Sequence, residues 1–123
     1  MIAGDIMNGY SHEITIDKHS KGYGFLRGTI DEYSWFALVH KEVVDYGVNP
    51  KNLSKGMGRI TRLCIYKEEK QFDGNPFLPS MTIKRSIYAN YHRGWSVLNS
   101  RNRPMIMELV TYLERRYSFR IVK

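Results

Sequence analysis

Tyr88, Asn90 and His92 stand two residues apart near the end of an alternating run, directly before Arg93-Gly94-Trp95. In an extended chain such residues share one face at intervals of about 7 Å. An aromatic ring, an amide and an imidazole would then meet one nucleotide-sized ligand together. Asn pairs bidentately with adenine, Tyr or His stacks on a base for about 1–3 kcal/mol, and Arg93 or Arg59 can fork onto phosphate oxygens. A structural alternative fits the same corner: Arg93 bonded to backbone carbonyls, Gly94 at a positive φ, and Trp95 buried under a helix.

Patterns for catalysis are scarce. His12, His19, His40 and His92 form no closely spaced metal pair, and neither Cys-x-x-Cys nor His-Glu-x-x-His occurs. Gly22-Tyr23-Gly24 and Gly56-Met57-Gly58 lack the remaining spacing of a dinucleotide fingerprint or phosphate loop, and no nucleophile elbow is present. Glu42 with Asp45, or Glu68 with Glu69, is better explained as solvated charge than as a catalytic carboxylate pair. Cys64, the single cysteine, lies in an apolar run and reads as a small core residue, so no intrachain disulfide is possible. These observations favour a binding protein over an enzyme, with no cofactor and no metal. Gly56-Met57-Gly58-Arg59 has one further use: backbone amides and a guanidinium held near one anion.

The charge balance supports binding of anions. Lys and Arg number 19 against 12 Asp and Glu, a formal charge of +7 that favours nucleic acid, nucleotides, phosphates or an acidic protein surface. The basic residues are scattered, and a solvated surface that maintains solubility is the lesser alternative, since charges scattered in sequence can still converge in a sheet. At 123 residues and 42% hydrophobic, the chain is expected to form a single domain spanning residues 1–123, burying about 70% of its unfolded surface. Its apolar runs fall well short of the roughly 18 residues of a membrane span, and the N-terminus has no secretion signal pattern. A cytoplasmic protein without a membrane partner is expected.

The elements that must position these residues are mostly strands. Glu13–Asp17 and Tyr23–Ile30 alternate around turn chemistry at Lys18–Gly22 and predict a hairpin. Gly22, Gly24 and Gly28 point to a bulge or to close approach by another backbone. Ser34–His40 sends Trp35, Ala37 and Val39 to one face and Phe36, Leu38 and His40 to the other. Breakers from Lys41 to Gly58 predict a long loop, and Arg59–Lys67 a strand with Thr61, Leu63 and Ile65 opposing Ile60, Arg62, Cys64 and Tyr66. Glu68–Ser80 reads as a polar excursion in which Phe77 and Leu78 form a flap or pin the loop to the core. Met81–Tyr91 returns to strand, with Ile83 and Ile87 in phase with Ala89 and Tyr91, and Lys84, Ser86, Tyr88, Asn90 and His92 opposite. Asn102 and Pro104 open a helix whose stripe is Ile106, Leu109, Val110, Leu113 and Tyr117. Phe119–Val122 is expected to add a short strand. The fold class is therefore α+β, a twisted antiparallel sheet of five to six strands with a C-terminal helix on one face.

Across residues 23–116 the chain resembles a group of small, mostly uncharacterised proteins of phages and Gram-positive bacteria. The resemblance lies in Trp35-Phe36-Ala37-Leu38-Val39, Asp45-Tyr46-Gly47-Val48, Gly58-Arg59-Ile60-Thr61-Arg62-Leu63-Cys64-Ile65 and Asn90-Tyr91-His92-Arg93-Gly94-Trp95. His92 departs from the acidic residue expected there, and Glu68–Ser80 is longer than usual. The order of sheet, Asn-bearing strand and final helix is also similar to phage anti-Thoeris proteins that act as sponges for cyclic ADP-ribose isomers and, in some members, cyclic oligonucleotides. That resemblance implies an anti-defence protein of the host cytoplasm that binds a cyclic nucleotide without turnover. It further implies a homo-oligomer with its pocket between subunits. The contacts implied are Asn90 for a base, Arg59 and Arg93 for phosphate, and Phe77 or Met105 as an apolar lid. His92, Tyr88 and Arg103 complete the ligand-binding candidates. Two rivals remain: a basic module for nucleic acid, and an anti-CRISPR-like inhibitor docking on an acidic protein surface.

Overall fold

The computed structural model describes residues 11–17, 23–72 and 81–122. Six antiparallel strands pair in chain order as one open sheet: β1 (Ile14–Ile16), β2 (Gly24–Ile30), β3 (Tyr33–Val44), β4 (Gly58–Phe72), β5 (Met81–His92) and β6 (Trp95–Leu98). A 3-10 turn (Ser100–Asn102) leads into α1 (Arg103–Val122). The α+β class is as expected, a six-stranded antiparallel sheet with a C-terminal helix on one face.

Alternation along β3 turns Trp35, Ala37 and Val39 beneath α1, and their cross-strand partners follow. Leu26 and Leu63 flank Ala37, while Gly28 and Ile65 flank Trp35. Ile106, Leu109, Val110 and Leu113 close this core from the helix, joined by Met105 and Tyr112. Each large apolar side chain buried there is worth about 1.5–3 kcal/mol. Tyr117, the last residue of the predicted stripe, has a side chain outside the described residues.

Several boundaries differ from expectation. The helical segment is capped by Asn99, whose Oδ1 accepts the Arg101 amide at 2.9 Å, and not by Asn102, which lies inside the 3-10 turn. Phe119–Val122 continues α1 instead of forming a strand, since neither Gly nor Pro follows Pro104 to break it. The segment 68–72 belongs to β4, where Glu68 faces Arg85 and Glu69 faces Lys84 across the ladder, opposite charges that favour pairing. The remainder of that excursion, with Phe77 and Leu78, lies outside the described residues, as does the turn at residues 18–22.

Two irregularities change which face residues occupy. Between β3 and β4, Leu38 pairs with Arg62 and Val39 with Ile60, leaving Thr61 as an extra residue. Ile60 is therefore in the core and not beside Arg62. Between β4 and β5, Ile65 pairs with Ala89 and Tyr66 with Ile87, leaving Tyr88 over. A bulge of this kind shifts side-chain phase by one residue. Ile83 and Ile87, expected in phase with Ala89, instead share the exposed face with Asn90 and His92, and they are 64% and 45% exposed.

The predicted long loop begins later, at Asp45, because β3 runs on to Val44, and it is packed as part of the core. Val48 and Leu53 are fully buried within it. Tyr91 Oη donates to Tyr46 O at 2.8 Å and Trp95 Nε1 to Leu53 O at 2.6 Å, so two aromatic side chains spend their polar tips on the loop backbone. Its ends meet at Gly47 and Gly58, where a side chain has no room: a Cβ on Gly58 would lie 1.7 Å from Val48 O. At the opposite edge Asp31, at φ 52°, makes the tight β2–β3 turn. Its carboxylate accepts the Glu13 amide at 2.8 Å and lies 2.6 Å from His12 Nδ1.

Gly58→Ala is expected to lower stability by about 2 kcal/mol or more, seen as a reduced urea midpoint at unchanged slope. A wild-type midpoint would show that the loop does not depend on this approach. For Asp31, burial pushes the pKa up, but the His12 and Glu13 hydrogen bonds pull it further down, and the net value lies below that of a free Asp. Its stabilisation is thus complete above about pH 4 and lost as pH falls through the lower folded value. Asp31→Asn is expected to flatten stability against pH below about 4, and an unaltered acid limb would contradict this.

Candidate functional site

The sheet face away from α1 collects the residues that alternate against the core. Phe36, Leu38 and His40 come from β3, Arg62, Cys64 and Tyr66 from β4, Phe25 and Arg27 from β2, and Arg85, Asn90 and His92 from β5. Two adjoining hollows are formed there. The first, about 330 Å³, is lined by Phe25, Leu26, Arg27, Phe36, Arg62, Tyr66 and Arg85. The second, about 360 Å³, is lined by Phe25, Leu38, His40, Tyr46, Thr61, Arg62, His92 and Arg93. Phe25 and Arg62 belong to both, and no carboxylate is among these lining residues.

The arginines are held on rings. Arg62 lies 5.4 Å from the Phe36 centroid, Arg85 4.3 Å from Tyr66 and Arg93 4.5 Å from Tyr46. Each contact is worth about 0.5–1 kcal/mol at an exposed site, and Arg85 is also held by Glu68, whose Oε2 accepts from its Nε at 3.0 Å. The rings form a connected set, with Phe25 5.8 Å from Phe36 and Phe36 6.1 Å from Tyr66. Phe25 is 66% exposed, an apolar platform between the hollows. His40 Nε2 and Thr61 Oγ1 share a 2.7 Å hydrogen bond. Burial pushes the Cys64 thiol up against the opposing influence of Arg85 and Arg62, so it stays neutral beside them at physiological pH.

Of the predicted ligand contacts, His92 and Arg93 enter the second hollow together. Arg93, not Gly94, takes the positive φ of the corner, 62°, and its amide donates to Thr61 O at 3.1 Å. Asn90 shares their face but lines neither hollow, and its Nδ2 donates to Ser96 Oγ at 2.8 Å. Tyr88, the bulged residue, turns to the helix side and packs edge-on against Tyr33 with centroids 5.0 Å apart. Trp95 is only partly buried and packs edge-on against Tyr91.

Arg59 lies elsewhere. Its amide and Nη1 donate to the two carboxylate oxygens of Glu114 on α1 at 2.9 and 2.8 Å, and its Nε donates to Lys41 O. The anion anticipated beside Gly-x-Gly-Arg is thus an internal carboxylate. Arg103 donates to Asn52 O at 3.0 Å on the loop, and Met105 is buried in the core, where it cannot act as a lid. Phe77 lies outside the described residues.

The residues missed were Phe25, Arg27, Phe36, His40, Tyr46, Arg62, Tyr66 and Arg85. Alternation placed Phe36 with His40 and Arg62 with Tyr66, which was a usable signal. The register that sets these pairs side by side was not legible without the turns and bulges.

Glu114→Gln is expected to cost about 2–3 kcal/mol of stability, because it leaves a half-buried guanidinium poorly matched. It should leave anion affinity on the open face within twofold, and a larger loss would return Arg59 to the site. No protein-family model, curated protein or solved structure matches this chain.

Proposed function

We propose that this protein is a non-catalytic binder that holds a nucleotide ligand on the open face of its sheet. The observation carrying this reading is the pair of hollows joined at Phe25 and Arg62, where four arginines lie among aromatic rings with no carboxylate among the lining residues. Guanidinium groups stacked on rings are already oriented, so little rotamer freedom is lost when their edges take up phosphate oxygens. Bases stack on exposed rings such as Phe25 for about 1–3 kcal/mol each.

The resemblance to signal-sequestering phage proteins puts a cyclic nucleotide first among ligands, either a cyclic ADP-ribose isomer or a cyclic oligonucleotide. Tight binding with slow release would silence such a signal without chemistry. A second reading, a single-stranded nucleic acid, is favoured by the uncovered run of rings and arginines across β2 to β5. Sheet faces of this composition take up unstacked bases. No helix among the described residues is long and apolar enough to cross a membrane.

Thermal unfolding with a panel of cyclic nucleotides separates these ligands. At 100 times its dissociation constant a true ligand adds about 2.7 kcal/mol, a shift of roughly 10 °C for a domain of this size. The shift should change little between 50 and 200 mM salt for a compact ligand, whereas affinity for an oligonucleotide should fall steeply. If neither cyclic nucleotides nor oligonucleotides bind, the proposal fails, and co-purification of an acidic protein would identify the remaining alternative.

A further inference from the structure

Arg62 differs from the other arginines that hydrogen bonds tie down. Arg59 is matched by Glu114 and Arg85 by Glu68, but Arg62 forms no ion pair among the described residues. Its Nε is buried without a hydrogen-bond partner there. Native proteins rarely leave a buried charged donor unmet, so the Arg62 guanidinium keeps donor capacity that the described residues do not use. The guanidinium is held over Phe36, its nearest neighbour along β4 on this face is the Cys64 thiol, and no carboxylate among the described residues pairs with it.

Its position identifies the acceptor. Arg62 and Phe25 are the two residues shared by the hollows, which measure about 330 and 360 Å³. Each volume stands at the lower end of small-ligand pockets, roughly 300–1,000 Å³, and suits one nucleotide. Along β3 the first hollow is marked by Phe36 and the second by Leu38 and His40, so their centres are separated by about 7–13 Å of strand. A forked cation between two base-sized hollows matches a phosphate that joins two nucleosides.

Resting on the proposed nucleotide reading, we infer that the ligand unit is a dinucleotide. Its bridging phosphodiester is held by Arg62, with one base in each hollow and Phe25 between them. This unit occurs in a cyclic dinucleotide and in any single strand. It is absent from AMP and from a cyclic ADP-ribose isomer, each of which carries one adenine.

Calorimetric titration of the full chain with AMP, linear ApA, cyclic di-AMP and a hexa-adenylate tests this. ApA or cyclic di-AMP should bind at least tenfold more tightly than AMP. Arg62→Gln should weaken the dinucleotides tenfold or more and leave AMP within twofold. Arg62→Lys, which keeps the charge but loses the fork and the Nε donor, should also weaken the dinucleotides selectively, and it serves if the Gln variant does not fold. Phe25→Ala, at an exposed ring, should fold normally and weaken both dinucleotides. Tighter binding of cyclic di-AMP than of ApA points to a signalling molecule. Tighter binding of the hexamer, with a steep salt dependence, points to a strand. Either result supports the inference. AMP binding as tightly as ApA, or falling equally in the Arg62 variants, overturns it while leaving the nucleotide reading intact. Failure of all four ligands to bind the wild-type chain overturns the dinucleotide inference, and failure of a cyclic ADP-ribose isomer as well sinks the nucleotide reading.

Discussion

One helix can cover only one face of a six-stranded sheet. That constraint organises the molecule. Side chains in phase with Trp35, Ala37 and Val39 are removed from water by α1, and those out of phase are left facing solvent. The hydrophobic gain lies on the covered side, where large aliphatic and aromatic residues meet with little or no exposure. On the uncovered side, long arginine side chains lie along the rings of Phe36 and Tyr66, and Arg93 lies over Tyr46. Their apolar stems and guanidinium faces shield aromatic surface.

The motif-like residues that stand out in the chain divide between scaffold and site. Tyr46-Gly47 and Gly58-Arg59 hold the loop from Asp45 to Met57 against the sheet through a backbone approach that admits no side chain and through the Glu114 clamp. Tyr91 and Trp95 reach the same loop with their polar tips. Between them, His92 and Arg93 point to the other side and enter the second hollow. One strand end therefore fastens the loop with its odd-numbered aromatics and supplies the open face with His92 and Arg93, which is what alternation across a sheet of two unlike faces permits. The left-handed backbone at Arg93 is the price of directing that guanidinium over Tyr46.

Several features of the fold were legible from local pattern. The covered faces of β3 and α1 followed from period-2 and period-3.6 spacing of large apolar residues, because burial acts on each side chain through its own direction from the backbone. Lack of fit between Cys64 and a nucleophile's surroundings was also visible, since its neighbours in sequence are apolar. Arg59 shows the opposite case. Its Gly-rich approach suggested an anion, and an anion is there, but it comes from Glu114, fifty-five residues away.

By itself, the sequence determined the fold class, the helix stripe, the inward face of β3 and the excess of positive charge, all of which depend on residue type and near-neighbour spacing. Only the tertiary structure decided that Thr61 and Tyr88 would be extra residues in their ladders, that Tyr88 would leave the face of Asn90, and that Arg62 would stand between two hollows with an unmet donor. The physical reason is that a bulge and a register are properties of two strands at once. Their energy comes from cross-strand pairing and from packing under α1, and neither is written in the spacing of one segment.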